Sequence, residues 1–552
     1  MLKLKEKKKS DITLSVILTI LLLAFLGLVF FVNLSCNPEY YDGDIYSDIS
    51  YAKEAWKAKS LFPKDWLFGN QLYVVATPVL AAAFYGITHN GILAMGIASC
   101  VMSMLIVLTY DWMMKTVFNY NERTSGFLAM VGVLLIKSHI ASGARGAQIL
   151  FTMASYYSCY MITAFIVYGC YIRIRQKKFN AKQIPMAVIG ALLSFATGMQ
   201  SLRQTVIMTL PLIVCEILMT IIVLIKDKKI LSFSSIAFTL IASAANLFGI
   251  IFAKSLSLQQ TTIYGDSGLK FIFDIKQIIS KIITEFEYGI VGSFKLMDSS
   301  NALINVAFPT FVLVILLIGF IINIVDFIKS KACQEDIFSL SVLLFFSCAS
   351  VLGVSVFTSV GCKTIYYFMI FPFLANAVAT IIKKFGKYCL IPESIVALLF
   401  TALILIKGVG TLNEIKADKN PNTSTYQIAK YMTDNGYDTL YFVFGLSWGD
   451  VTGENVVVAS GDRIYPVQLE KADDWEKGVT MNYLHIKDNY KLRDDEKSLY
   501  VLNSENYEKA KTFCDNHGIK IDVIGKYEDR YLCKLSKNVC KVSETLLSET
   551  EG

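Results

Sequence analysis

The sequence predicts a polytopic α-helical membrane protein of about twelve transmembrane helices, ending in a small extracytoplasmic α/β domain. Three observations predict it. Hydrophobic residues make up 54% of the 552 and charged residues only 18%, against about 25% charged in soluble domains. Long apolar runs recur as far as residue 408 and then stop. The net charge of +7 divides unevenly: residues 411–552 carry 18 basic and 24 acidic side chains, the preceding residues 34 and 21. A basic excess among apolar runs belongs to short loops facing anionic lipid and the cytoplasm. The composition excludes a water-soluble enzyme and a disordered chain, and nothing reads as a nucleic-acid binder.

A crossing helix needs about 20 mostly apolar residues. The first run, 13–32, follows Lys3, Lys5, Lys7, Lys8 and Lys9. It is longer than a signal-peptide core and lacks a clean small-residue cleavage site, so it reads as an uncleaved span with a cytoplasmic N-terminus. Further runs fall near 72–88, 91–111, 126–141, 149–171, 184–200, 205–225, 232–253, 303–325, 338–358, 364–382 and 389–408. The basic clusters 173–178, 226–229, 329–331 and 383–387 are placed in the cytoplasm by the positive-inside rule. Alternation then puts 255–302 and everything after 408 outside. One run between 72 and 171 must be re-entrant or split, because four full spans there would put the 173–178 cluster outside.

Residues 1–410 thus form a transmembrane domain with outer loops at 34–71 and 255–302, and residues 411–552 an outer domain. In the latter, residues 425–435 read as a helix ended by Gly436, and 507–516 as a helix ended by Gly518. Strands are expected at 439–444, 498–502, 519–524 and 531–535, which together make a small α/β or α+β unit. The Ser/Glu-rich last ten residues read as disordered. The 12 Cys show no CxxC and the four His no ligand-like spacing, so no His- or Cys-based metal site is expected. Cys514, Cys533 and Cys540 leave room for one disulfide in the outer domain.

The most informative segment is 37–71, just outside the first span. Asp42, Asp44 and Asp48 fall within seven residues. Tyr51, Ala55, Lys64, Asp65 and Trp66 continue the segment with the residue types of an amphipathic interfacial helix. A single Asp here would be an ordinary solvated loop acid; three anchored between a span and an interfacial helix point to a site. A sugar acceptor must lose a proton as it attacks, and a positioned carboxylate can take it. If the donor is a sugar on a lipid phosphate, the leaving group departs as an anion, so one base suffices where hydrolases use two carboxylates. That anion calls for cations. Arg203, between two spans on the outer side, and Lys363, opening a late span, are candidates, with Arg145 a third whose side the parity leaves open. The Asp cluster also has the oxygen chemistry to hold Mg²⁺ or Mn²⁺, although cationic side chains at the phosphate can replace a metal.

The layout resembles the polytopic C-type (GT-C fold) glycosyltransferases of the bacterial type that use polyprenyl-phosphate-linked sugars. Four features carry the resemblance: the acidic loop Asp42-Gly-Asp44-Ile-Tyr-Ser-Asp48, a Tyr/Ala-spaced interfacial helix leading to Lys64-Asp-Trp66, the late span opening Lys363-Thr-Ile-Tyr366-Tyr367 before Pro372, and an outer C-terminal domain. The resemblance covers the whole length in architecture but only about 60 residues in motif. It implies that one loop Asp is the catalytic base, that Arg203, Lys363 and Arg145 meet the carrier phosphate, and that Tyr51, Lys64, Trp66, Tyr366 and Tyr367 contact substrate. The implied partners are a polyprenyl-phosphate-sugar donor, a glycan, lipid or protein acceptor, and the bilayer of the cytoplasmic membrane. Two departures stand out: Asp-Gly-Asp replaces a common Asp-Glu pair, and Lys363 stands where many members carry Arg. The competing reading is a transporter or flippase of lipid-linked glycans. It would want paired ionisable groups at the bilayer midplane and an internal duplication, and the sequence offers Glu216 and no visible duplicate half.

Overall fold

The computed structural model describes residues 2–35, 43–69, 71–137, 157–176, 181–227, 233–258, 270–296, 301–329, 335–361, 364–386, 390–417, 424–443, 453–481 and 495–550. The apolar runs fold as helices, since in lipid every backbone N–H and C=O must be paired within its own segment. The bundle opens with α1 (Leu2–Leu34), α2 (Gly43–Ala58), α3 (Thr77–Thr88), α4 (Gly91–Met114), α5 (Tyr120–Lys137) and α6 (Ser158–Arg175). It continues with α7 (Ile184–Gln200), the single turn α8 (Leu202–Gln204), α9 (Leu210–Asp227), α10 (Phe233–Ser255) and α11 (Ile275–Glu285). Helices α12 (Ala302–Lys329), α13 (Glu335–Phe357), α14 (Ile370–Phe385) and α15 (Ile391–Ala417) complete it.

Among the described residues, eight helices are long and apolar enough to cross a membrane, fewer than the twelve or so expected. The expected runs are present but unequal. Helices α5 and α6 have 18 residues each, with charged side chains at their ends, and α7 has 17. Helix α3 has 12 residues, about 18 Å at 1.5 Å per residue, well short of a hydrocarbon core of about 30 Å. It is one of three elements between 72 and 171, with α5 and α6, that are not among those eight helices. The basic helix ends gather at one end of the bundle. Arg173 donates to the Trp112 carbonyl, Arg175 lies 3.6 Å from Glu335, Lys383 donates to the Val117 carbonyl at 2.7 Å, and Lys384 pairs with Asp326 at 2.5 Å.

Lipid supplies no hydrophobic drive between helices, so close backbone approach and buried polar contacts hold them together. A Cβ on Gly198 of α7 would lie 2.0 Å from the Asn246 carbonyl oxygen of α10, and one on Gly249 would lie 2.1 Å from that of Phe195. Across α12, α13 and α14, Asn323 and Asn376 each donate to Ser341 Oγ at 2.7 Å, and Thr380 donates to Asn323 Oδ1 at 3.1 Å. Helix α11 is strongly amphipathic. It exposes Ile275, Ile279, Ile282 and Ile283, while its Lys281 caps the α13 terminus through the Ser355 and Thr358 carbonyls at 2.7 and 2.6 Å. That is the composition of a helix lying in the membrane interface.

The C-terminal domain comprises α16 (Ser424–Asp434), β1 (Thr439–Val443), α17 (Gly453–Ala459), β2 (Tyr465–Trp475), β3 (Gly478–Met481), β4 (Ser498–Asn503), α18 (Ser504–Asn516), β5 (Ile521–Tyr527), β6 (Arg530–Leu535) and α19 (Val539–Thr550). Its single sheet has the order β3-β2-β1-β4-β6-β5, with β1 parallel to β2 and β4 and the outer pairs antiparallel. Strand β1 is buried on both faces, which explains its unbroken apolar reading. Leu440 and Phe442 pack with Ile428 and Met432, Tyr441 and Val443 with Trp475 and Phe513. The expected helices and strands are present. The expectation of a disordered tail is corrected: α19 runs to Thr550 and seats Val539 and Cys540 in the core. Among the described residues, Cys514, Cys533 and Cys540 are buried thiols and the one disulfide the sequence left room for is not seen.

Gly198→Ala or Gly249→Ala should cost about 1–3 kcal/mol by overpacking, read as a lowered Tm in detergent. Gly353→Ala is the control, since nothing lies within 4 Å of a Cβ there. Burial pushes the Cys514 thiol up to about 11 and Cys533 up to about 12. At pH 8 only about one in a thousand Cys514 groups is then the reactive thiolate. Iodoacetamide at pH 8 should therefore spare both in the folded protein and label them once it is unfolded, as mass spectrometry would show.

Candidate active site

The site is built at the bundle end opposite the basic cluster, where four chain segments converge. The first is α2. Asp44, Asp48, Tyr51 and Ala55 recur at i, i+4, i+7 and i+11, which places them on one helix face. Asp48 and Tyr51 are fully buried, Ala55 nearly so, and Asp44 half-buried in the first helical turn, where the helix dipole favours a carboxylate. The loop helix is therefore no half-exposed interfacial helix but an internal one. Tyr51 anchors it. Its ring lies 4.4 Å from that of Tyr73, 5.5 Å from Trp66 and 6.3 Å from Phe68, and its hydroxyl donates to the Leu61 carbonyl at 2.8 Å. Burial, with the Asp48 charge adding to it, holds the Tyr51 hydroxyl well above the usual phenol range, so it stays a neutral donor.

The second segment is the extended chain after Gln71, stitched to the end of α7 by Gln200. The Gln200 carbonyl accepts from Leu72 N–H at 2.9 Å, and its side-chain oxygen from Val75 N–H at 2.9 Å. Its amide donates to Cys159 Sγ at 3.3 Å. Gln71 in turn accepts from the Tyr160 hydroxyl at 2.7 Å, tying in the start of α6.

The third segment carries the cation. Ser201 interrupts the helix with an extended backbone and accepts from Arg203 N–H at 3.2 Å, opening the short turn α8. A π-helical turn, Thr205–Thr209, follows directly, a local widening that recurs at functional sites. The Arg203 guanidinium lies over the Tyr366 ring, 4.1 Å from its centroid, and donates to the Tyr366 hydroxyl at 3.3 Å. Tyr366 belongs to the fourth segment, the 3₁₀ turn Thr364–Tyr367. The cation–π contact fixes the plane of a group suited to bidentate anion contact.

Tyr157 joins the acidic and basic walls. Its ring is 6.3 Å from Tyr366 and 5.4 Å from Phe368, and its hydroxyl sits in the electrostatic field of Arg203, Tyr366, Tyr160 and Asp44. With Tyr160 and Phe368, whose rings stack at 6.1 Å, it makes an aromatic floor. Asp44, Asp48, Tyr51, Trp66, Arg203 and Tyr366 are thus brought into one region, with Tyr51 and Trp66 packing the helix in place. Lys64 is exposed on the turn before Trp66. Tyr367 turns away, its hydroxyl donating to Glu285 at 3.2 Å and its ring against Gly289. Asp42, Arg145 and Lys363 lie outside the described residues. The sequence reading missed Gln71, Tyr157, Tyr160 and Gln200. The tyrosine-rich stretch 156–160 at a span end was the available signal for two of them, and nothing local marks the glutamines. Among the described residues, no three His, Cys, Asp or Glu side chains group as metal ligands.

No protein-family model matches the chain, and no curated protein is recognisably similar to it. Gln200→Ala would strand the half-buried Val75 N–H. The cost should be about 1–3 kcal/mol, seen as a fall in Tm in detergent, whereas Gln176→Ala at the exposed bond to Asp336 should change it little.

Proposed function

We propose that this protein is an integral-membrane glycosyltransferase, moving a sugar from a polyprenyl-phosphate-linked donor to an acceptor on the outer face of the cytoplasmic membrane. One observation carries the reading: the Arg203–Tyr366 pair packs beside Tyr157, whose hydroxyl also lies in the field of the Asp44 carboxylate, at the end of the bundle away from its basic helix ends. With that basic end inside by the positive-inside rule, the site lies outside.

In the proposed reaction the acceptor hydroxyl oxygen attacks the anomeric carbon of the donor sugar. The hydroxyl proton passes to a carboxylate, for which Asp44 is the candidate because it is the more accessible of the two described acids. The bond from the anomeric carbon to the phosphate oxygen breaks, and polyprenyl phosphate leaves as an anion against the Arg203 guanidinium. Asp48, fully buried beside Tyr51, shapes the helix face that presents Asp44. The aromatic floor of Tyr157, Tyr160 and Phe368 suits a sugar ring and keeps water from the anomeric centre. The acceptor class and the sugar are set by groups that contact them, and the geometry favours none over another.

The transporter reading finds less support. Glu216 accepts from Tyr171 at 2.6 Å and from Ser235 at 3.0 Å, close to the basic end of the bundle, a satisfied structural acid rather than a midplane relay.

Asp44→Asn in folded protein should lower kcat by about 10²- to 10⁴-fold, the usual worth of a positioned base, with donor affinity kept. Arg203→Ala should weaken binding of polyprenyl phosphate by about tenfold or more, the loss of ~1.5–3 kcal/mol from a charged hydrogen bond. Transfer assays on radiolabelled polyprenyl-phosphate hexose and pentose donors measure the first, and titration with the carrier phosphate measures the second. Full transfer by Asp42→Asn, Asp44→Asn and Asp48→Asn alike rejects the carboxylate mechanism, and unchanged carrier affinity removes Arg203 from the phosphate site.

A further inference from the structure

Helix α2 is gripped on the side opposite its carboxylates by a residue of the C-terminal domain. Lys53 follows Asp44 by nine residues, about two and a half turns, so the two side chains leave the helix on opposite faces. Lys53 is almost wholly buried, at 6% exposure. Its stem runs between α2 and the first residue of α4. A Cβ on Gly91 would lie 2.7 Å from Lys53 Cε and 2.6 Å from Ile49 Cγ2, so only glycine lets the lysine pass. The ammonium reaches Asp462 Oδ1 at 2.5 Å.

Asp462 is held for this contact. It follows Gly461 in the turn that ends α17, and both adopt the left-handed region, each with φ of 64°. That backbone is uncommon for a side-chain-bearing residue and is kept where the surroundings require it. The Asp462 N–H donates to the Val457 carbonyl at 2.9 Å, and Arg463 closes the turn on Ser460 through its N–H to Oγ at 3.2 Å and its Nε to the carbonyl at 2.8 Å. One turn earlier on α17, Val458 packs against the core of the membrane bundle. The outer domain therefore docks α17 on α2 and places one carboxylate against the buried ammonium.

We propose that Asp462, acting through Lys53, is a positioning residue: the C-terminal domain sets where α2 presents Asp44 and Asp48. This rests on the transferase reading above. A buried ammonium that loses its counter-ion must move toward water or draw water in. With Gly91 and Ile49 closing one side of the lysine stem, that movement shifts the helix itself. A displacement of about 1 Å at reacting groups costs up to a hundredfold in rate.

The test uses the full-length protein in detergent with polyprenyl-phosphate hexose and pentose donors. Asp462→Asn should lower kcat by about tenfold, inside that hundredfold range, while KM for the donor stays within about twofold because the phosphate site at Arg203 is untouched. Asp462→Glu keeps the charge and should recover part of the loss, and the swap Lys53→Asp with Asp462→Lys should recover more. Hydrogen exchange across residues 43–58 should rise in Asp462→Asn and fall back in the swap. Should the swap fail to fold, the comparison of Asp462→Glu with Asp462→Asn decides alone, and equal kcat in the two overturns the proposal. Wild-type kcat in Asp462→Asn, or a change confined to KM, also overturns it. A wild-type chain that transfers no sugar, with the exchange response intact, overturns the transferase reading instead and leaves Lys53–Asp462 as a docking contact.

Discussion

Charge is expensive inside a bilayer, and that one constraint orders this structure. A charged side chain at the centre of the hydrocarbon costs several kcal/mol even by lenient scales, roughly 2.5–3.5. The ionisable groups accordingly collect at the helix ends. One end holds Arg173, Arg175, Lys383 and Lys384, each on a carbonyl or carboxylate of a neighbouring helix. The other end holds the Asp44 and Asp48 face of α2 and the Arg203–Tyr366 pair. The site exists because helices stop there: α7 breaks at Ser201, α3 is too short to cross, and α14 is preceded by a 3₁₀ turn. The interruptions free backbone groups, and Gln200 and Ser201 take up those of Leu72, Val75 and Arg203. The polar scaffold of the site is thus the repair of the helix ends that create it.

Much of this was legible in the chain. The apolar runs mark most of the described helices, since an unbroken apolar stretch of about 20 residues reads as a spanning helix. In the outer domain, glycine after a helix marks α16 and α18, and Gly436 and Gly518 do take positive φ, 76° and 62°. What escaped was whatever depends on distant partners. Strand β2 opens with an alternating Tyr465, Val467 and Leu469 but runs on through Glu470, Lys471, Asp473 and Asp474, a charged half that reads as loop. Its place beside β1 is fixed by the parallel register from Thr439–Tyr465 to Val443–Leu469. Helix α19 looks like a polar tail until Val539, Cys540 and Ser543 are seen against β3, with Ser543 accepting from Val479 N–H at 2.9 Å.

The site divides along the same line. Residue type and clustering pointed to Asp44, Asp48 and Arg203, because carboxylates and guanidinium groups beside a span are rare enough to stand out. The tyrosines and glutamines that bring them together are common at helix ends and carry no local mark. Tyr157 and Tyr366 lie far apart in sequence yet 6.3 Å apart in space. Trp66 and Tyr51 show the converse. They have the composition of an interfacial anchor, yet each is buried against the other with Tyr73 and Phe68 around them, while the C-terminal domain covers the opposite, Lys53 side of α2.

That cover explains why a carboxylate helix can sit inside the protein at all. Helix α2 buries Ile45, Ile49, Ala52 and Ala55, and with them Asp48 and Lys53, whose charges hydrophobic burial alone does not accommodate. It is kept in by pairing on both sides: aromatic rings and Gln-stitched backbone toward the bundle, the Asp462 carboxylate toward the outer domain. Asp48 and Lys53 are themselves buried, so their electrostatic contacts act through a lower effective dielectric than at an open surface. An anion entering beside Arg203 would meet a guanidinium already fixed by Tyr366, with little reorganisation left to make. The C-terminal domain, far from an appendage, then closes the Lys53 side of the helix whose other side forms the acidic wall of the site.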